Sequence, residues 1–266
     1  MTPSADRPAR FEGHEFPQRI PEPDAVLRGA PAPWSTLAAH ERGPAPLSRV
    51  VARLRRAGRL LDETPLPEEL HELSVVVDAA RQPITRRSAV LVALFEEAGD
   101  THLVLTRRAL TLRHHRGEIA LPGGRSEEGE TPVQTALREA HEEVGLDPGS
   151  VDAVGWLSPI VTFASGSAIW PVVGLLGERP TLRPDPVEVD RAFTVPLSEL
   201  LGDGAFVEER WRRSEPRPGA DAEGYFPIYF YRVPGDVIWG ATARVVTELL
   251  CIVTGAVWPD AHRVWG

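Results

Sequence analysis

Three glutamates with the potential for metal chemistry lie close together near the middle of the chain. Glu139, Glu142 and Glu143 fall within the segment REAHEEVGL, downstream of the adjacent glycines Gly123 and Gly124. Carboxylate oxygens, together with a backbone carbonyl from a glycine loop, are the ligands that Mg²⁺ or Mn²⁺ prefers, and both ions also hold water and substrate phosphates. The residue types therefore predict a divalent cation site.

A helix must position these carboxylates. Thr131 is a good N-cap, Pro132 suits the first helical position, Gln134 completes a capping box, and Gly145 is a natural stop. At about 100° per residue an apolar stripe forms along one face, consisting of Val133, Ala136, Leu137, Ala140 and Val144. We therefore predict that the three carboxylates lie clear of this stripe and point outward together.

The alternative is a solvated acidic face, because like charges one turn apart repel by only about 0.2–0.5 kcal/mol. The neighbouring residues favour the metal site. Gly124, Glu130 and Arg138 accompany the glutamates, and the segment resembles the Nudix hydrolase signature: Gly, five residues, Glu, seven residues, Arg-Glu, an apolar residue, any residue, Glu-Glu, any residue, Gly, an apolar residue. Only Ala140, a small choice for the apolar site, is unusual.

The resemblance implies an α/β fold, an α/β/α sandwich of Nudix type with a mixed β-sheet. It also implies a loop-helix-loop that binds divalent metal and cleaves a nucleoside diphosphate linked to another group. By this resemblance the metal ligands would be Glu139, Glu142, Glu143 and the carbonyl of Gly123. Glu139 would also accept the proton of the attacking water, while Arg138 and Glu130 would pair and hold the helix against its loop.

A second run, LTRRALTLRHHRGEIALPGG, is similar to the additional motif of coenzyme A diphosphatases within the Nudix family. Ala109 stands in place of a serine and Leu121 in place of a phenylalanine. Arg108, Arg113 and His115 would bind the phosphates of the substrate, since Arg can grip phosphate bidentately. The alternative is that the arginines are solvated on a hairpin and that His115 bonds a backbone carbonyl. His114 and His141 are not expected to function.

Together the two resemblances predict hydrolysis of coenzyme A or an acyl derivative to 3′,5′-ADP and a phosphopantetheine product. Two alternatives stay open. One is a Nudix hydrolase of another diphosphate, such as NADH, ADP-ribose or a nucleoside triphosphate; the other is a non-catalytic domain that senses a nucleotide. Glu188 could add a carboxylate to the metal site, although Asp185, Glu188 and Asp190 could equally be surface charges.

The composition limits the classes of partner that this protein can bind. A chain of 266 residues, 42% hydrophobic, can bury a sizeable core. Its net charge of -9 makes nucleic acid and anionic membrane poor partners, so a small anionic substrate would need a metal or local positive charge. The only cysteine, Cys251, is expected to be a buried core thiol and fits a reducing compartment. With no signal-like or membrane-spanning run, we expect a cytoplasmic protein.

Pattern and composition predict four regions along the chain. Residues 1–46 form a Pro-rich arm that could pair subunits as a homodimer or cover the active site, and 47–84 a helical segment beginning at SRVVARLRR. The Nudix domain covers 85–257, and 258–266 form a tail.

Within the domain we expect two strands joined at Gly99 and Asp100, and a short strand running into a glycine loop at Gly123. We also expect strands at VDAVGWL and AIWPVVGLL, the latter at an edge or bulged because of Pro171. Last come a strand at RAFTV, a brief helix at VPLSELL, a strand at YFPIYFYRV and a closing helix.

Overall fold

A mixed eight-stranded sheet forms the centre of the molecule. The computed structural model describes residues 18–62, 86–162, 167–214 and 220–258. The strands of this sheet are β2 (Arg86–Glu97), β3 (Asp100–Arg108), β4 (Ile119–Ala120), β5 (Gly123–Arg125), β6 (Val151–Trp156), β7 (Ile160–Thr162), β8 (Ser167–Leu176) and β9 (Val189–Pro196). In the order β4-β3-β2-β8-β6, β2 and β8 run parallel and the remaining neighbours antiparallel. In addition, β9 pairs with β3, β5 with β2, and β7 with β8.

A second, four-stranded antiparallel sheet packs beside the first. Its order is β1-β10-β11-β12, formed by β1 (Ala25–Arg28), β10 (Phe206–Arg212), β11 (Tyr225–Val233) and β12 (Asp236–Trp239). The pattern at YFPIYFYRV predicted β11, but β1, β10 and β12 were not predicted. Residues from 18 to 46 of the predicted arm include β1 and the fully buried Trp34. The domain boundaries stay predictions, and residues 1–17, 63–85 and 259–266 lie outside the described residues.

Helices cover both faces of the central sheet, as the resemblance predicted. They are α1 (Leu47–Arg56), α2 (Pro132–Val144), α3 (Leu197–Leu200) and α4 (Gly240–Thr254). Alternate residues of β2 face opposite layers: Leu91 and Phe95 pack with α2, whereas Val92 and Leu94 pack with α1 and α4. The result is the expected α/β/α sandwich, with Cys251 buried inside α4. Burial raises the pKa of this thiol to about 12.

Helix α2 has the ends that its sequence predicts. The Thr131 side chain accepts a hydrogen bond from the Gln134 N–H, and the Gln134 side chain accepts one from the Thr131 N–H. Gly145 ends the helix in the left-handed conformation at φ 70°. Ala136, Ala140 and Val144 are fully buried against the central sheet. The small Ala140 side chain therefore belongs to a close contact between the helix and the sheet.

Pro171 was predicted to mark a strand at an edge or with a bulge; the edge position is wrong, whereas the pairing of β8 with β6 does have a register shift, between Ala153 and Gly155. β8 lies inside the sheet, between β2 and the two strands β6 and β7. The Pro171 carbonyl accepts from the Leu157 N–H at 3.0 Å, between the end of β6 and the start of β7. Since the N–H and C=O of one strand residue point to the same side, the missing donor of Pro171 faces this interruption. A proline is tolerated there because neither β6 nor β7 needs a backbone N–H donor at this position.

None of the helices within the described ranges is long and apolar enough to cross a membrane.

Overfilling the contact at Ala140 should destabilise the protein. For Ala140→Leu we expect the free energy of unfolding to fall by about 1–3 kcal/mol, because extra methylene groups must displace a packed sheet. Urea denaturation measures the change. Ala52→Leu, the same substitution at an exposed position of α1, should alter stability by less than about 0.5 kcal/mol. Equal effects of the two substitutions would contradict the close packing of α2.

Candidate active site

The three glutamates of α2 differ widely in exposure. Side-chain exposure is 15% for Glu139, 57% for Glu142 and 4% for Glu143. The expectation that all three point outward together is therefore wrong for Glu143. Its carboxylate is buried because β5 lies directly over this part of the helix and supplies a hydrogen bond, from the Gly123 N–H to Oε2 at 3.1 Å.

The glycines of β5 allow two close approaches, of Gly124 to α2 and of Gly123 to β2. A Cβ on Gly124 would overlap the Glu139 carboxylate, and a Cβ on Gly123 would overlap the backbone of Ala89 and Val90. Gly123 also has a φ of 154°, a conformation that L side chains rarely adopt. The glycines were expected to form a loop, but they are strand residues paired with Ala89 and Val90 of β2. This strand fixes where the backbone meets the carboxylates.

Arg108, at the end of β3, is the cation facing Glu143. Its Nη1 lies 3.7 Å from Glu143 Oε1, and its buried Nε has no hydrogen bond partner among the described residues. Burial raises the pKa of Glu143 to about 7, against the opposing effects of the Gly123 N–H and Arg108. The guanidinium thus retains an unused donor beside a carboxylate that is costly to ionise.

Arg138 binds the remaining acids of the motif. Its Nε donates to Glu130 Oε1 at 2.7 Å and its Nη2 to Glu130 Oε2 at 3.0 Å, while its Nη1 contacts Glu139 and Glu142. Nη2 also donates to the Arg125 carbonyl, which joins the helix to the end of β5. The hydrogen bond from Arg138 lowers the pKa of Glu130 to about 2. The structure therefore brings together the pair that the resemblance assigned to holding the helix on its loop.

Glu188 lies next to the glutamates of α2. The Ala109 N–H donates to the Glu188 carbonyl at 2.8 Å, and the negative charge of Glu188 contributes to raising the pKa of both Glu139 and Glu143. Burial is the main cause of the raised pKa of Glu139. Asp185 and Asp190 have other partners, since Asp185 caps its own turn and Asp190 pairs with Arg107. Of the three acids in this segment, Glu188 is thus the one that faces the site.

The carboxylates are not already arranged around an ion. In the described ranges, no three His, Cys, Asp or Glu side chains lie together in a way that could hold a metal. The reason is local, because Arg138 holds Glu139 and Glu142 while the Gly123 N–H holds Glu143. The donor chemistry nevertheless fits a hard cation: the ligands are oxygens, one carboxylate is buried, and neighbouring negative charges contribute to raising the pKa of Glu139 and Glu143. The Gly123 carbonyl stays a predicted ligand.

The loop between β3 and β4 carries the other predicted substrate contacts. Arg113, His114 and His115 are all exposed. His115 has a left-handed φ of 55°, and its Nδ1 lies 3.0 Å from Glu118 Oε2, which raises the pKa of the imidazole. Glu118 was not among the predicted site residues, although its spacing of three residues from His115 is a usable signal. Ala109 and Leu121, the two departures from the coenzyme A motif, are both buried. His141 contacts the Leu146 carbonyl.

Comparison with known proteins identifies the family. A family profile described as NUDIX domain matches residues 85–214. An uncharacterized Nudix hydrolase, NudL, of Photorhabdus laumondii is 36% identical over 167 residues, which cover 62% of this chain and 83% of that protein. The chain belongs to the Nudix hydrolase family.

Two plant Nudix proteins are similar but longer. Nudix hydrolase 15, mitochondrial, of Arabidopsis thaliana is 37% identical over 197 residues, 71% of this chain and 65% of that protein. Nudix hydrolase 22, chloroplastic, of the same plant is 38% identical over 175 residues, 63% of this chain and 55% of that protein. The chain therefore spans less than two thirds of the length of these two Nudix relatives.

The buried Glu143 should make stability depend on pH. Its pKa is about 7 in the folded protein against 4.5 for an ordinary glutamate, so the folded state keeps a proton that the unfolded state releases. With a chelator present, this group should lower the free energy of unfolding by on the order of 3 kcal/mol as pH rises from about 4.5 through 7. Urea denaturation at pH 5 and pH 8 measures the fall.

Glu143→Gln should lose this component of the pH dependence, because an amide does not titrate. Glu142→Gln, which removes an exposed carboxylate of the same helix, should retain it. If the free energy of unfolding had the same pH dependence in wild type and Glu143→Gln, Glu143 would not be the group responsible for it.

Proposed function

We propose that this Nudix protein is a metal-dependent hydrolase of coenzyme A or acyl-coenzyme A. It would cut the diphosphate to give 3′,5′-ADP and 4′-phosphopantetheine or its acyl derivative. The observation that carries the proposal is the contact between the two motifs: Arg108, from the run similar to coenzyme A diphosphatases, lies 3.7 Å from Glu143 of the Nudix helix. A basic group suited to phosphate thus adjoins the predicted metal ligands.

A divalent cation such as Mg²⁺ or Mn²⁺ would be held by Glu139, Glu142, Glu143 and the Gly123 carbonyl, with Glu188 as a further candidate. The raised pKa values of Glu139 and Glu143 support this, because carboxylates that are costly to ionise side by side gain from a bound positive charge. When bound, such an ion screens phosphate oxygens and lowers the pKa of a bound water. Arg138 would compete with the cation for Glu139 and Glu142.

The chain's own side chains would orient the substrate and accept a proton. Arg108 has a buried Nε without a partner in the described part of the chain, and its Nη1 lies 3.7 Å from Glu143 Oε1, so a phosphate oxygen bound beside Glu143 could accept a hydrogen bond from this guanidinium. Arg113 and His115 lie on the exposed loop that follows β3, where they could reach the 3′-phosphate of coenzyme A. Glu139 would accept the proton of the attacking water, and the Arg138–Glu130 pair would fix the helix.

Two other functions remain as alternatives. A different diphosphate, such as NADH or ADP-ribose, would use the same glutamates without needing Arg113. A non-catalytic nucleotide sensor would bind its ligand without cleaving it, which the complete glutamate set disfavours. The cytoplasmic location and the homodimer stay predictions from the sequence.

A product assay tests the proposed reaction. Purified protein with coenzyme A and Mn²⁺ should release 3′,5′-ADP and 4′-phosphopantetheine, separated by chromatography, and excess chelator should abolish the release. Glu139→Gln should lower kcat by at least about 100-fold, since an amide cannot accept a proton. Glu128→Gln, an exposed glutamate outside the predicted set, should leave kcat within about 2-fold of wild type. Turnover of another nucleotide but not of coenzyme A would refute the substrate and keep the reaction class.

The 3′-phosphate contact is tested by Arg113→Ala. We expect kcat/KM for coenzyme A to fall by about 10- to 100-fold, the loss of a charge-assisted contact. For dephospho-coenzyme A, which lacks the 3′-phosphate, kcat/KM should change by less than about 2-fold. Arg116→Ala on the same loop serves as the matched control. Equal losses for both substrates would place Arg113 elsewhere than at the 3′-phosphate.

A further inference from the structure

An ion cluster centred on one buried carboxylate joins the second sheet to the central sheet behind the active site. Asp236, in β12, has a side chain with 0% exposure, and it pairs with Arg107 of β3 and Arg191 of β9. Arg107 also donates from Nε to Asp190 Oδ2 at 2.7 Å. We call these four residues the Asp236 cluster. It contains two cations and two anions, and only Asp236 comes from the second sheet.

The cluster holds two like charges face to face. Arg107 and Arg191 are direct partners in the antiparallel pairing of β3 with β9. Like charges directly opposite each other on neighbouring strands destabilise the pairing. Asp236 contacts both guanidinium groups and so neutralises the repulsion where the two strands come to their ends. Removal of one member of a buried ion pair is costly, because a buried charge is left without compensation.

The next residue along β3 is Arg108, whose side chain points to the other face of the sheet. Successive strand residues alternate in direction: Arg107 contacts Asp236 of the second sheet, whereas Arg108 contacts Glu143 of α2. The register shifts between Arg107 and Arg108, and the Ala109 N–H then bonds the Glu188 carbonyl. The position of Arg108 thus depends on how β3 and β9 are held together at this irregular end.

We propose that Asp236 is a positioning residue for Arg108. By binding Arg107 and Arg191 on one face, it fixes the strand end from which Arg108 reaches the predicted diphosphate site on the other. Asp236 lies beyond residues 85–214, the range matched by the family profile. The inference rests on the proposed function in one respect, namely that Arg108 binds a phosphate of the substrate.

A double-mutant cycle tests whether Asp236 acts through Arg108. Asp236→Asn should lower kcat/KM for coenzyme A by about 10-fold or more, as expected when a binding group is misplaced. In the Arg108→Ala background the same substitution should lower kcat/KM by no more than about 2-fold, because the side chain that Asp236 positions is already absent. If Asp236→Asn only lowered stability, it would lower kcat/KM by the same factor in both backgrounds.

Asp221→Asn is the matched control. Asp221 pairs with Arg210 within the second sheet and accepts backbone hydrogen bonds there, but it does not take part in the Asp236 cluster. It should change kcat/KM by less than about 2-fold in either background. Equal losses from Asp236→Asn in the wild-type and Arg108→Ala backgrounds would overturn the inference.

The same cycle is measured a second time by calorimetry, as the affinity for inorganic pyrophosphate in the presence of Mg²⁺. This readout needs no turnover. A protein that binds pyrophosphate but leaves coenzyme A intact would refute the proposed substrate, and the cycle in affinity would still decide the role of Asp236.

If Asp236→Asn does not fold, Arg191→Gln replaces it. Arg191 is 41% exposed and its loss frees β9 from the cluster, so the same dependence on Arg108 is expected.

Discussion

The close approach between β5 and α2 is the constraint on which the rest of the site depends. Gly124 leaves no room for a side chain beside the Glu139 carboxylate, and the Gly123 N–H lies 3.1 Å from Glu143 Oε2. This contact buries Glu143 and provides the N–H group from which its carboxylate accepts a hydrogen bond. Burial makes its charge costly, which in turn explains a cation, Arg108, at 3.7 Å. A larger residue at Gly124 would displace the Glu139 carboxylate, and one at Gly123 would collide with the backbone of β2.

A single guanidinium contacts the three remaining carboxylates of the motif. Arg138 makes a bidentate contact with Glu130 and also reaches Glu139 and Glu142. The Glu130 contact is geometrically strong and strongly lowers the pKa of that acid. The contacts with Glu139 and Glu142 share one nitrogen, Nη1, and are therefore easier to exchange. Arg138 can keep the helix on its loop through Glu130 while it yields the other two carboxylates to a metal ion.

Local signals were enough to predict the main elements that carry the motifs, although not the strand β5. The capping box, Pro132 and Gly145 give both ends of α2, and continuous apolar runs give β2 and β8. The burial of Glu143 could not be predicted, because helical periodicity places it on a flank and only the position of β5 decides whether the flank is covered. Glu188 likewise has no local signal. Its place beside the glutamates follows from the pairing of β9 with β3, which connects residues about 80 positions apart.

The second sheet shows where sequence patterns are least informative. β10, with the sequence FVEERWR, is rich in charged residues, yet it lies between β1 and β11, and Glu208 and Glu209 are buried. No periodicity of β10 alone distinguishes this from an exposed loop. β12 is only four residues long, yet it supplies Asp236, whose partners Arg107 and Arg191 lie in the central sheet. A strand too short to be recognised by its pattern thus provides the charge that joins the two sheets. The elements that bear the recognisable motif therefore depend on a part of the fold that carries no motif of its own.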